Sequence, residues 1–325
     1  MTFPVTYFYC FMNKKILFTI SCFYKFLILF ILLSSQNCLA QKYNQDKPLR
    51  VFIIGNSFSQ NATKYLPQLA KEGGYKLQLG RAELGGCSLQ RHWEIAVAAE
   101  KNPNDVKGKA YKGKSLRQLL SYGSWDIITL QQYSLLSADS SSYEPYLTNL
   151  YHYVKSIQPN AKVALHQTWA YRTDVVNMGF VKDLQKAVSD EEMYQKLTAN
   201  YQHFAAKFGT DLIPTGDAFW QISLNPLYKY VKDKSDGDLV YPKIPLQKNS
   251  LHVGYKWGED KKLAMDSHGN AAGCYLGALV WYRYLFNANL SKVKFRPEEV
   301  SEDFAQQLKK AATTAIKKSP INSLY

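Results

Sequence analysis

Two short segments of this 325-residue chain hold side chains whose types and spacing allow nucleophilic chemistry. Ser57 closes the run Leu49-Arg-Val-Phe-Ile-Ile-Gly-Asn-Ser57, and His268 follows Asp266 by two positions, just ahead of a long apolar stretch. A serine hydroxyl is a weak nucleophile near neutral pH until a base takes its proton. A carboxylate on Nδ1 of a histidine fixes the tautomer that leaves Nε2 free for that task. His268 is the best base among the six histidines. His152 and His203 fall within helical patterns, His92 and His252 lack a nearby acid on the expected edge of the sheet, and His166 sits inside a strand and packs in the interior. The alternative for Ser57 is a helix N-cap, a role that serine fills often.

Strands and helices must alternate to bring these residues together. Leu49–Ile54 is an apolar run of strand length bounded by a turn, the pattern of a strand buried on both faces. A helix over Ala62–Glu72 closes on Gly73-Gly74, and a second strand covers Lys76–Ala82. Ser115–Tyr122, Tyr143–Gln158, Asp190–Phe208 and Ala271–Phe286 read as helices, with strands at Trp125–Gln131, Ala161–His166 and Asp211–Ile213. This order predicts an α/β fold with a parallel sheet covered on both faces. Such sheets place their sites at the carboxyl ends of the strands. Ser57, the Gly85-Gly86 pair, Gln131-Gln132 and Thr168-Trp169 all fall there.

Residues 1–40 read as a signal peptide. Lys14 and Lys15 precede an apolar block, Phe26–Leu33, and Cys38-Leu-Ala40 supplies a cleavage site after Ala40. A membrane anchor is the alternative, but Lys25 divides the apolar run and leaves it short of the ~20 residues of a span. Lipidation at Cys38 fits less well, because Asn37 is larger than the residue that usually precedes a lipidated cysteine. The start codon could also be Met12. Residues 41–325 then form one domain with a loop-rich insertion at about 225–265, in the periplasm or outside the cell. Cleavage leaves two cysteines, Cys87 and Cys274, expected as buried thiols with one disulfide as the alternative. The formal net charge of +14 stays basic without the leader. Its lysines are dispersed among acids, which argues against a nucleic-acid partner.

The blocks Gly55-Asn-Ser-Phe-Ser59, Gly85-Gly-Cys-Ser-Leu-Gln-Arg-His-Trp93, Trp125-Asp-Ile-Ile-Thr-Leu-Gln-Gln-Tyr-Ser134, Gln167-Thr-Trp-Ala-Tyr171 and Asp266-Ser-His-Gly-Asn-Ala-Ala-Gly-Cys-Tyr-Leu276 resemble, in order, those of SGNH/GDSL hydrolases. More narrowly they resemble the DUF4886 group of Bacteroidetes-type bacteria. The resemblance implies a three-layer αβα sandwich with a flavodoxin-like central sheet. It also implies ester hydrolysis by Ser57, His268 and Asp266, without metal or organic cofactor. The oxyanion hole would comprise the backbone N–H groups of Ser57 and Gly86 with the side-chain amide of Gln131, and Trp169 would contact substrate. Three positions depart from the wider pattern. Asn56 stands for the usual aspartate, Gln131 or Gln132 for an asparagine, and the acid lies two rather than three residues before the histidine, with Met265 in its usual place.

Aromatic and lysine side chains crowd the insertion: Tyr228, Tyr230, Tyr241, Tyr255 and Trp257 stand among Lys229, Lys232, Lys234, Lys243, Lys248 and Lys256. Such a loop either stacks on sugar rings and attracts anionic glycans or is a solvated insertion. The expectation is an exported carbohydrate esterase removing acetyl or similar acyl groups from a small-molecule or glycan ester. The alternatives are a noncatalytic glycan-binding protein and an acyltransferase or lipase-like enzyme with the same triad.

Overall fold

Five parallel strands, β1 (Leu49–Gly55), β2 (Leu77–Glu83), β3 (Ile127–Leu130), β4 (Lys162–His166) and β7 (Asp211–Ile213), form the central sheet of the computed structural model. Their order is β2-β1-β3-β4-β7, the flavodoxin-like arrangement in which sites gather where the chain reverses its direction of winding, beside the first strand. The model describes residues 47–183, 185–232 and 240–319, so the leader segment 1–40 lies outside the described residues.

Two helical layers cover the sheet, giving the expected three-layer αβα sandwich. On one face α1 (Ser57–Ala62), α2 (Leu66–Glu72), α7 (Thr215–Ser223) and α9 (Glu302–Lys318) pack around α8 (Ala271–Phe286). On the other, α3 (Leu89–Lys101), α4 (Leu116–Leu120) and α5 (Tyr146–Ile157) pack together. The long α6 (Asp190–Phe208) joins this second layer, with Phe208 stacked on Tyr151 and Phe204 on Tyr143. Helix α8 is apolar all round and almost wholly buried, as such a sequence requires. Gly277 lets it lie against α1, because a Cβ there would stand 2.6 Å from Ala62 Cα.

The alternating elements read from sequence are present, with boundaries displaced by a few residues. The single helix expected over Ala62–Glu72 is instead two, broken where Pro67 opens α2. The larger difference falls in the insertion. Its second half folds as an antiparallel hairpin, β8 (His252–Trp257) with β9 (Leu263–Gly269), and the second of these strands bears Asp266 and His268. A smaller pair, β5 (Phe180–Lys182) with β6 (Gln185–Lys186), lies before α6. Cys87 and Cys274 are free, buried thiols, which excludes the disulfide, and burial raises them to about 12 and about 11. No helix among the described residues is long and apolar enough to cross a membrane.

Candidate active site

Strand β1 delivers the chain to a tight elbow. Asn56 is extended and caps α1, its Oδ1 accepting the Phe58 N–H at 3.0 Å, so that Ser57 becomes the first residue of the helix. A chain of buried side chains holds Asn56 from behind. Its Nδ2 donates to Cys87 O at 3.0 Å, and Gln131 Nε2 donates to its Oδ1 at 2.7 Å. His166 Nδ1–H donates in turn to Gln131 Oε1 at 2.7 Å, and the Thr215 hydroxyl donates to His166 Nε2 at 3.1 Å. These four side chains are buried, and one set of tautomer and amide orientations satisfies every bond in the chain. The asparagine at position 56 now has a physical reason. An aspartate there has no N–H for the Cys87 carbonyl and would set a carboxylate against it.

Opposite the elbow, the hairpin brings the acid and base. The β8–β9 pairing slips by one residue between Asp266 and Gly269, and there Asp266 Oδ1 faces both the backbone N–H and the ring of His268, so β9 presents the two side chains together. This is how a two-residue spacing works here. His268 Nε2 lies 2.7 Å from Ser57 Oγ, and His268 Nδ1 lies 2.6 Å from Asp266 Oδ1. The His268 backbone N–H donates to the same oxygen at 2.9 Å, while Lys256 Nζ, from β8, donates to Asp266 Oδ2 at 2.6 Å. Burial pushes the Asp266 carboxyl up, but these donors outweigh it and hold the group down at about 2. Asn61 of α1 accepts the Gly269 N–H at 2.9 Å, tying the end of β9 to the helix that carries the nucleophile.

Two residues that line the cleft, Ser57 and Gly86, carry backbone donors. The Ser57 N–H opens a helix and has no partner inside it, and Gly86 takes the left-handed φ of 60° that turns its segment past Tyr133. Neither N–H has a hydrogen-bond partner among the described residues. The expected third donor, Gln131, is corrected. Its side chain is buried beneath the elbow, absent from the cleft lining, and its amide is engaged by Asn56 and His166. Gln132 does not replace it, since its amide holds the Leu89 and Tyr133 N–H groups and donates to Ser142.

Trp169 is also corrected. It is fully buried, with its ring stacked between Phe58 (4.2 Å) and Phe219 (4.4 Å), and so cannot touch a ligand in the cleft. Its indole N–H instead donates to Ser267 O at 3.2 Å, between the acid and the base. His92 and His252, set aside for want of an acid, are buried structural donors to Gly55 O and Ala170 O; burial lowers both to about 4. His166 is lowered further by burial, to about 3.

The cleft over the triad has a volume of about 660 Å³ and is walled by Tyr133, Tyr171, Val175, Val176, Leu263 and Met265. Arg172, overlooked in the sequence, anchors one side. It forms a two-pronged pair with Asp174 at 2.6 and 3.0 Å, with the side chains 3% and 7% exposed. It also reaches three parts of the insertion, donating to Gln247 (2.7 Å) and Ser250 (3.0 Å) and lying 3.9 Å from the Tyr230 ring centre. The aromatic residues of the insertion are largely occupied with one another or with the core. Tyr228 stacks on Phe304, and Tyr241 meets Trp257 edge-on. No group of three or more histidine, cysteine or acidic side chains among the described residues is arranged to hold a metal.

The chain belongs to the DUF4886 family, a domain of unknown function whose model matches residues 50–226, more than half of the sequence. A crystal structure of a DUF4886 family protein from Bacteroides uniformis ATCC 8492 is similar at a TM-score of 0.64 and 24% identity, covering 84% of this chain and 96% of that one. This likeness shows the fold. A protein from Parabacteroides merdae ATCC 43184 described as a GDSL-like lipase aligns at 13% identity and a TM-score of 0.42, covering 76% of this chain and 99% of that one. No curated protein matches. The family match ends before Asp266 and His268, so their place in the site rests on the geometry of the hairpin.

Proposed function

We propose that this protein is a serine esterase that hydrolyses acyl esters, acetyl esters of carbohydrates foremost, through an acyl-enzyme on Ser57. One observation supports this above the rest: the continuous chain Ser57 Oγ, His268 and Asp266, with contacts of 2.7 and 2.6 Å, beside two unpartnered backbone N–H groups. His268 Nε2 takes the proton of the Ser57 hydroxyl as Oγ attacks the ester carbonyl. The N–H groups of Ser57 and Gly86 receive the oxyanion as it forms, and favour the tetrahedral state over the flat ester. The imidazolium, stabilised by Asp266, then gives its proton to the departing alcohol. In the second half His268 activates water, which attacks the acyl-enzyme and releases the acid.

The carbohydrate acceptor and export to the periplasm or medium rest on the family resemblance and on the signal-like residues 1–40. The apolar cleft wall of Val175, Val176, Leu263 and Met265 favours a second reading, in which the acyl chain is longer and the enzyme is lipase-like. Acetate release from acetylated polysaccharides, compared with turnover of p-nitrophenyl esters of increasing chain length, separates the two. The first reading predicts a maximum at acetyl. Turnover that rises with chain length would replace it with the second, and no turnover of any ester by a folded protein would reject both.

A further inference from the structure

Asp266 has a second charged partner. Lys256 stands opposite Ala264 in the β8–β9 pairing, and the residue directly opposite Asp266 is Gly254. On an antiparallel pair, opposed residues and those two positions further along share a face. Lys256, Ala264 and Asp266 therefore lie on one side of the hairpin. With no side chain at Gly254, the lysine crosses the diagonal and meets Asp266 Oδ2 at 2.6 Å. Gly254 cannot readily be anything else. Its φ is +69°, and a Cβ would stand 1.9 Å from Gln247 Oε1 and 2.3 Å from an Arg172 nitrogen. Lys256 is half exposed, whereas Asp266 is only 14% exposed.

From this geometry we infer that Lys256 is a positioning residue of the acid–base pair: it pins the outer oxygen of Asp266, so that the inner oxygen faces His268 Nδ1. The inference rests on the esterase reading for its catalytic meaning but not for its test. A carboxylate free to turn would offer His268 Nδ1 no fixed acceptor, and the imidazole would lose the orientation that aims Nε2 at Ser57 Oγ.

The other groups facing this pair do not substitute for Lys256. On α1 they are Ser57 and the uncharged Asn61, which binds the Gly269 N–H. Behind the hairpin, His252 is buried and lowered to about 4 by that burial. From the segment after β4, Asp174 lines the cleft but is satisfied by Arg172, and Tyr171 and Tyr133 line it as phenols. Lys232 lies on the rim, 6.0 Å from the Tyr255 ring centre.

Proton NMR tests the inference without relying on turnover. The low-field Nδ1–H resonance of His268, identified by its loss in His268→Gln, is expected to broaden or vanish in Lys256→Met, where Asp266 is no longer held, and to persist in Lys256→Arg, which retains the cation. For p-nitrophenyl acetate, kcat should fall roughly 10-fold in Lys256→Met with KM little changed, and Lys256→Arg should recover most of it. An unchanged Nδ1–H resonance in a folded Lys256→Met protein, or its equal loss in Lys256→Arg, would overturn the inference. An inactive parent protein whose Nδ1–H resonance is still lost in Lys256→Met would instead reject the esterase reading and leave the positioning role standing.

Discussion

The two sides of the site are built in opposite ways. The nucleophile side is a buried relay of neutral groups running from Thr215 through His166, Gln131 and Asn56 to the Cys87 carbonyl. The acid–base side is a two-stranded hairpin at the surface, its His268 side chain 41% exposed, held by charges: Lys256 on Asp266 from within, and Arg172 through Gln247, Ser250 and Met265 from behind. The first side is shaped by satisfying every polar atom in the interior, where an unpaired group is expensive. The second is shaped by electrostatic contacts, of which Lys256 on Asp266 lies within reach of solvent and Arg172 on Asp174 does not. Substitutions on the first side, and at the buried Arg172, should therefore act mainly on stability, and those at Asp266 and Lys256 mainly on rate.

Asp266→Asn gives the largest expected effect, a fall in kcat on the order of 10⁴-fold, because an amide cannot both accept from His268 Nδ1 and stabilise the imidazolium. Gln131→Leu sharpens the contrast. An oxyanion donor lost would cost about 10²–10³-fold in kcat, whereas a buried support lost should lower stability by about 1–3 kcal/mol with a much smaller loss of rate. A 10³-fold rate loss at unchanged stability would restore Gln131 to the oxyanion hole and break the division between the two sides.

Arg172→Met strands Asp174 with no cation in a site only 7% exposed, and should lower unfolding stability by about 3–5 kcal/mol. Adding Asp174→Asn should recover part of that loss in urea denaturation. Strictly additive losses would mean that the pair is not the anchor. Asn56→Asp, which removes the donor to Cys87 O, should cost about 1–3 kcal/mol, measured the same way.

The remaining effect is with pH. Burial holds His92, His166 and His252 near 4, 3 and 4, below the ~6.5 of an unfolded histidine. Between these values the unfolded chain binds protons that the native one refuses. Stability should therefore be flat with respect to these groups above about pH 6.5 and fall below it, by up to ~1.4 kcal/mol per pH unit for each histidine. Asp266 adds a later loss. Its stabilising pairing is complete above the ~3.9 of a free aspartate and disappears as pH falls through about 2. Urea midpoints from pH 8 to pH 4 test the histidine contribution, and a flat profile there would contradict it.

Much of this division could be read from sequence on one side and little on the other. Ser57 was legible because it closes an apolar strand and falls in the first of several blocks in a family's order, and Ala271–Phe286 because an all-apolar helix must be buried. The hairpin was harder to see. His252–Trp257 contains a glycine and a lysine, and Leu263–Gly269 alternates without strong hydrophobicity, so the segment reads as loop. The one-residue slip in its pairing is what makes the short Asp266 to His268 spacing workable. Gln131 and Trp169 were placed correctly at strand ends but misjudged in role, because sequence position does not reveal that Asn56 and Phe58 cover them. Arg172 has one local partner, Asp174, but its reach into the insertion was hidden, since those hydrogen-bond partners lie 75 to 93 positions away.

The central claim is that Ser57 is a nucleophile activated by His268. Intact-mass and peptide analysis after exposure to a fluorophosphonate tests it most directly. One adduct per chain, on the peptide containing Ser57, absent in Ser57→Ala and slowed at least 10²-fold in His268→Ala, is the predicted result. A folded protein that forms no adduct, or labels at Ser57 equally fast without His268, would contradict it.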